Sequence, residues 1–139
     1  MSENKALNWT AKPGIGYTVT RRADGGMTLT FTDLSEETMA DWREFALEHL
    51  LDSDRLTRNL YDLRQVTEIP ERAIKLAMEV NSDPATRNLR VGVLVASESA
   101  RDAVAKIRAG ATGSGAAIRI FTTLEAAEAW LNKPLDQII

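Results

Sequence analysis

Acidic, basic and hydroxyl side chains lie at the predicted ends of several strands. Side chains of these types can transfer protons or bind polar ligands. In the stretch LYDLRQVTEIPERA, residues 60–73, a strand runs into a proline and then into helix-forming residues. Ligands of α/β sheets bind outside the carboxyl ends of the strands, so we expect these side chains to form one rim with hydroxyl groups that follow later strands. The predicted rim consists of Asp62, Arg64, Glu68, Glu71, Arg72, Ser97, Ser99, Thr122 and Thr123.

The predicted rim has two interpretations. Asp62 and Arg64 are two residues apart in a strand, so their side chains share a face and could bind a polar group of a ligand or partner. Helix caps and surface ion pairs use the same residue types. Because the acids, bases and hydroxyls match no catalytic arrangement, we predict an interaction surface and not an enzyme.

Metal and phosphate sites are not predicted. The chain has no cysteine and a single histidine, His49, which excludes thiolate sites and paired-histidine zinc motifs. His49 lies on an apolar helix face, where we expect a structural residue and not a catalytic base. Gly110, Gly113 and Gly115 precede a strand, whereas the glycines of a phosphate-binding loop precede a helix. We therefore expect a connector there, and no cofactor.

The elements that must position the rim begin with a β-hairpin. Apolar and polar residues alternate on both sides of Asp24-Gly25-Gly26, whose glycines could take the positive φ of a tight turn. We expect the apolar face to be buried and the threonine face to be wet, with a binding role for the threonines as the alternative. The two faces carry Tyr17, Val19, Met27, Leu29 and Phe31 on one side and Thr18, Thr20, Thr28, Thr30 and Thr32 on the other.

Four helices are predicted from N-cap residues and from apolar residues at helical spacing. Ser35 and Ser97 are predicted to cap the first and third, residues 70–80 form the second, and Thr122 and Glu125 have the spacing of a capping box for the fourth. The residues expected to face inward are Met39, Trp42, Phe45, Ala46, His49 and Leu50 in the first helix, Ile74, Ala77 and Met78 in the second, and Ala100, Val104 and Ile107 in the third.

Three further strands are predicted in RNLYDLR, LRVGVLVA and AIRIF, and the second of these is apolar enough to be covered on both faces. The order β-β-α-β-α-β-α-β-α predicts an α/β fold with right-handed crossovers, in which about five strands form a mixed sheet with four helices. We assign residues 1–14 to an N-terminal arm, 15–132 to one domain and 133–139 to a tail. Trp9 and the final isoleucines could pack on a second subunit, as in a homodimer, or on their own chain.

Composition narrows the classes of partner. The chain has 139 residues, a net charge of -3 and a pI of about 5.2, which argues against nucleic-acid binding. No apolar run is long enough to span a membrane, and the polar N-terminus has no signal-peptide core. With no cysteine to form disulfides, a cytoplasmic location is expected.

The element order, the stretch LYDLRQVTEI and the ending IRIFTTLEAAEAWL resemble the STAS domains and, more closely, the bacterial proteins called SpoIIAA-like. The resemblance implies a βα superhelix. In STAS domains a strand of the form D-L-x-x-V-x-x-I leads into D-S-S/T-G, where a partner kinase phosphorylates a serine or threonine. Asp62, Leu63, Val66 and Ile69 match the strand, but residues 70–73 are PERA, so the phosphorylated hydroxyl is absent.

Two functions are expected from this resemblance. The first is a non-catalytic STAS-like module that binds an unknown protein partner without a phosphoswitch. The alternative is a carrier or sensor of a small apolar, lipid-like ligand, because SpoIIAA-like folds also resemble the CRAL-TRIO lipid-exchange fold. Fold alone does not decide between them.

Overall fold

The computed structural model describes residues 12–24, 26–50, 57–81, 89–110 and 117–133. The strands are β1 (Tyr17–Arg21), β2 (Met27–Phe31), β3 (Thr57–Asp62), β4 (Leu89–Leu94) and β5 (Ala117–Phe121), and the helices are α1 (Glu36–Leu50), α2 (Glu71–Asn81), α3 (Glu98–Gly110) and α4 (Leu124–Leu131). This order confirms the predicted α/β fold with five strands and four helices. The predictions for Trp9, Gly25, Gly113, Gly115 and the terminal isoleucines lie outside the described ranges.

The five strands form one mixed sheet in the order β1-β2-β3-β4-β5. β1 and β2 are antiparallel, and every later pair is parallel. Right-handed crossovers between successive parallel strands place their helices on the same face of the sheet. α1, α2 and α3 accordingly share the main core, whereas α4 packs on the opposite face against β3, β4 and β5.

The main core lies between the sheet and the three crossover helices. All five apolar residues of the hairpin are buried in it, as predicted, and so are the inward residues of α1 that the structure describes. On the other face of the hairpin Thr18, Thr20 and Thr32 are exposed, and Thr28 and Thr30 are half-buried. β4 is buried at every residue, which confirms that both of its faces are covered.

A network of hydroxyls and one carboxylate joins the hairpin to α1. Ser35 Oγ accepts from Thr38 N at 3.3 Å, which confirms Ser35 as the helix cap. The fully buried Thr38 donates to Asp33 at 2.7 Å and accepts from Gly16 N at 2.8 Å. The hydrogen bond from the backbone of Ser35, together with that from Thr38, lowers the pKa of Asp33. The carboxylate therefore stays charged and fixes where the helix begins.

The turn between β1 and β2 is closed by a 2.8 Å hydrogen bond from Arg22 N to Gly26 O. Of the two glycines expected to take a positive φ, Gly26 does not, and Gly25 lies outside the described residues. Gly26 is required for another reason: a Cβ atom there would lie 1.7 Å from the backbone oxygen of Arg58. The glycine lets the hairpin approach β3 closely.

Two arginines anchor α4 to the second face of the sheet. Arg90 is 3% exposed and donates to the carbonyls of Trp130 and Lys133 at 3.2 and 2.7 Å, with its guanidinium 5.5 Å from the centre of the Trp130 ring. Cations at this end complement the helix dipole. Arg22 of the hairpin forms a two-pronged ion pair with Glu128, at 2.8 and 3.0 Å. No helix of the described ranges is long and apolar enough to cross a membrane.

The cap of α4 corrects the sequence prediction. Thr123, not Thr122, is the N-cap residue, and its hydroxyl accepts from Ala126 N at 3.2 Å. Two adjacent threonines offer two possible N-cap positions. The capping-box spacing of Thr122 and Glu125 is therefore coincidental.

We expect Gly26→Ala to lower the free energy of unfolding by roughly 1–3 kcal/mol, because the new methyl group meets backbone that cannot rotate away. Gly92→Ala is the control, since a Cβ atom there lies 3.4 Å from Leu131, in ordinary contact. Urea unfolding of both variants measures the difference. Equal destabilisation by the two substitutions would contradict the close approach at Gly26.

Candidate functional site

The corner after β3 is built around an ion pair. Asp62 is the last residue of β3, and its carboxylate accepts three hydrogen bonds from Arg64: from the backbone N at 3.0 Å, from Nε at 3.0 Å and from Nη2 at 2.8 Å. The side-chain hydrogen bonds from Arg64 lower the pKa of Asp62. Its carboxylate is therefore charged and already bound, a state that suits a structural turn better than proton transfer.

Ser97 ties this corner to α3. Its hydroxyl donates to the carbonyl of Thr67 at 2.7 Å and accepts from Ala100 N at 3.1 Å. The second hydrogen bond confirms Ser97 as the predicted cap of α3. The first one holds the β3–α2 loop against the start of the neighbouring helix.

α2 begins directly after Pro70, whose carbonyl accepts from Ile74 N at 3.0 Å. Arg72 lies 3.8 Å from Glu36 of α1, and the two side chains are 57% and 72% exposed. An ion pair so exposed contributes little to stability. Arg72 is thus paired with α1 and not with Asp62.

The remaining rim residues are exposed, and within the described ranges their side chains make no hydrogen bond or ion pair: Glu68, Glu71, Ser99 and Thr122. The rim is accordingly a set of separate local interactions in this part of the chain. The described residues also hold no cluster of acidic, histidine or cysteine side chains that could bind a metal. The side chain of His49 lies outside the description.

Sequence reasoning missed a cavity of about 70 Å³ inside the main core. It lies between α1, α2, α3 and the sheet, and no charged side chain lines it among the described residues. Its walls include Leu34, Met39, Trp42, Tyr61, Ile69 and Ala77. The only signal of the cavity in the sequence was the presence of small residues on the inner face of α2. Their periodicity assigns these residues to the core, but it does not show whether their side chains fill the space there.

The cavity approaches the surface near the carboxyl ends of β2 and β3. Leu34 follows β2, Ile69 precedes α2, and both are only partly buried. This is the end of a parallel sheet at which ligands usually bind. One end of the cavity therefore lies at the same end of the sheet as the predicted rim, while Asn81 and Ile107, near the ends of α2 and α3, line its other end.

Two aromatic residues in the cavity wall are joined by a hydrogen bond, and the amide of Asn81 is a further polar group in the wall. Trp42 Nε1 donates to the hydroxyl of Tyr61 at 3.1 Å, and the two rings meet edge to face at 6.2 Å. The Tyr61 ring also stacks on Phe31 at 6.1 Å. Burial raises the pKa of the Tyr61 hydroxyl to about 12, so it is protonated at neutral pH.

A separate groove runs over the outer surface between α1 and α2. It has a volume of about 340 Å³ and an apolar floor of Met39, Ala40 and Leu76. Charged side chains stand on both sides, and Arg43 and Glu79 pair across it at 2.8 Å. Met39 lines both this groove and the cavity, so the two lie next to each other.

Comparison with known proteins supports the fold. A solved structure of an uncharacterized protein from the DUF3478 family with a SpoIIAA-like fold, from Shewanella loihica, is similar to this chain with a TM-score of 0.61. The alignment covers 89% of this chain and 99% of that one, at 14% identity. No protein-family model and no curated protein matches the chain. The chain thus has a SpoIIAA-like α/β fold, as the sequence predicts, and the likeness extends to the fold alone.

We expect Ser97→Ala to lower the free energy of unfolding by about 1–2 kcal/mol, because it removes a helix cap and the hydrogen bond to Thr67. Ser99→Ala is the matched control and should change it by less than about 0.5 kcal/mol. Thermal and urea unfolding would compare them. Equal effects of the two substitutions would contradict the structural role assigned to Ser97.

Proposed function

We propose that the protein is a non-catalytic binding module whose ligand is a small apolar molecule held in the cavity. The observation that carries the proposal is the cavity itself, whose lining is largely apolar and reaches the carboxyl ends of β2 and β3 on one side. Its volume of about 70 Å³ is roughly half that of an engineered apolar cavity, about 150 Å³, which binds benzene. The ligand is therefore smaller than a lipid chain unless the walls move.

The main core carries two costs that a core selected only for stability would not retain. An enclosed cavity of about 70 Å³ would cost on the order of 1.7 kcal/mol, which is an upper bound for this partly open one. Asn59 is fully buried on the same face of the sheet, opposite Val91 of the cavity wall, and neither amide atom of its side chain has a hydrogen-bond partner among the described residues. Such costs are typical of functional sites and support a binding role for this core.

We expect wild-type protein to bind the hydrocarbon probe 2-methylpropene, and Ala77→Leu to abolish binding by filling the cavity. Ala126→Leu, an exposed position on α4, is the control and should bind as the wild type does. Methyl NMR of Val91, Val93 and Ile118 reports on the cavity wall directly. The proposal fails if these signals do not move in the wild type, or if Ala77→Leu binds as tightly as the control.

A second candidate is a protein partner, favoured by the groove between α1 and α2. Its apolar floor is flanked by charged residues, the pattern of a docking surface with a polar rim. The groove adjoins the corner at which the STAS domains are phosphorylated. In this chain Glu71 places a carboxylate in the first turn of α2, so the corner could bind a partner in a permanently charged state.

For this second candidate we expect a STAS-type kinase with ATP to transfer no phosphate to the corner. Glu71 and Arg72 stand where the family has hydroxyls, and the nearest hydroxyl, on Thr67, precedes Pro70 and is not part of the helix. Mass spectrometry of the incubated protein maps any phosphate. Stoichiometric phosphate on Thr67 would show that the switch has moved and not disappeared.

A further inference from the structure

Tyr61 lines the cavity, and its hydroxyl makes one hydrogen bond among the described residues. The oxygen of the Tyr61 hydroxyl accepts from Trp42 Nε1 at 3.1 Å, so the phenol already acts as an acceptor. Its own proton has no acceptor among the residues that the structure describes. Contacts with the Trp42 and Phe31 rings hold Tyr61 in place, which makes the hydroxyl a fixed donor.

The hydroxyl keeps this proton under ordinary conditions. Burial raises the pKa of Tyr61 to about 12, so ionisation does not remove the donor near neutral pH. Tyr61 is partly buried, and a ligand that supplies an acceptor adds a hydrogen bond to its hydroxyl on binding. Among the described residues the rest of the wall is apolar except for the amide of Asn81, and none of it carries a charge, which disfavours an ionised ligand.

We propose that the ligand of the cavity is a small uncharged molecule with one hydrogen-bond acceptor, such as a ketone or an aldehyde, whose oxygen accepts the proton of the Tyr61 hydroxyl. This inference rests on the proposed function and specifies it. The apolar walls hold the hydrocarbon part of the molecule, and Tyr61 orients its oxygen. A ligand that lacks the acceptor leaves the Tyr61 donor unpaired and binds less tightly than a ligand of the same shape that has one.

The test compares two probes of the same shape, propanone and 2-methylpropene, in wild-type protein and in Tyr61→Phe. We expect the substitution to weaken propanone binding by about five- to tenfold, the loss of one hydrogen bond, and to change 2-methylpropene binding by less than about twofold. Tyr17→Phe is the matched control. Its hydroxyl donates to Asp41 at 2.6 Å outside the cavity, so neither affinity should change.

A second measurement needs no variant, because Tyr61→Phe also removes the acceptor of Trp42 and could disturb the fold. The infrared carbonyl band of propanone bound to the wild type should lie at lower frequency than in cyclohexane, as expected for a hydrogen-bonded carbonyl. A band at the cyclohexane position, or equal weakening of both probes by Tyr61→Phe, overturns this inference while 2-methylpropene binding still supports the proposed function. If neither probe binds the wild type, both proposals fail.

Discussion

The handedness of three crossovers determines how the rest of this protein is arranged. β2, β3, β4 and β5 are neighbours in the sheet in the order in which they occur in the chain, so each connection advances in the same direction. Right-handed connections then require α1, α2 and α3 to lie on a single face. The opposite face can be covered only by segments outside these crossovers, and in the described structure α4 is the helix that covers it.

This unequal division explains features of both faces. On the face with one short helix, apolar area is small, and Arg90 adds hydrogen bonds to the end of α4 and a cation–π contact with Trp130. On the other face three helices converge over the sheet, and the small side chains Ala73 and Ala77 stand where α2 crosses it. The cavity remains in this larger core, between the three helices and the sheet.

Much of the fold could be predicted because it depends on local periodicity. The alternation of apolar and polar residues around Leu29 predicts a strand, and the helical spacing of apolar residues around Trp42 predicts a helix. The order of such strands and helices along the chain already implies a mixed sheet. Details that depend on distance in space could not be predicted: the Arg58 carbonyl beside Gly26, the choice of Thr123 as cap, and the burial of Arg90 within an apolar strand. The cavity belongs to the same group, since the residues that line it come from eight separate elements and loops and only their relative positions leave it open.

The central claim is that the core between the three helices and the sheet is left incompletely filled so that it can hold a ligand. A crystal structure of the wild-type protein under xenon pressure tests it most directly, because xenon enters apolar cavities and scatters strongly. We predict one ordered xenon atom between Trp42, Ala77 and Val93, without displacement of α1 or α2. A core that excludes xenon, with side chains closing the space, would contradict the claim.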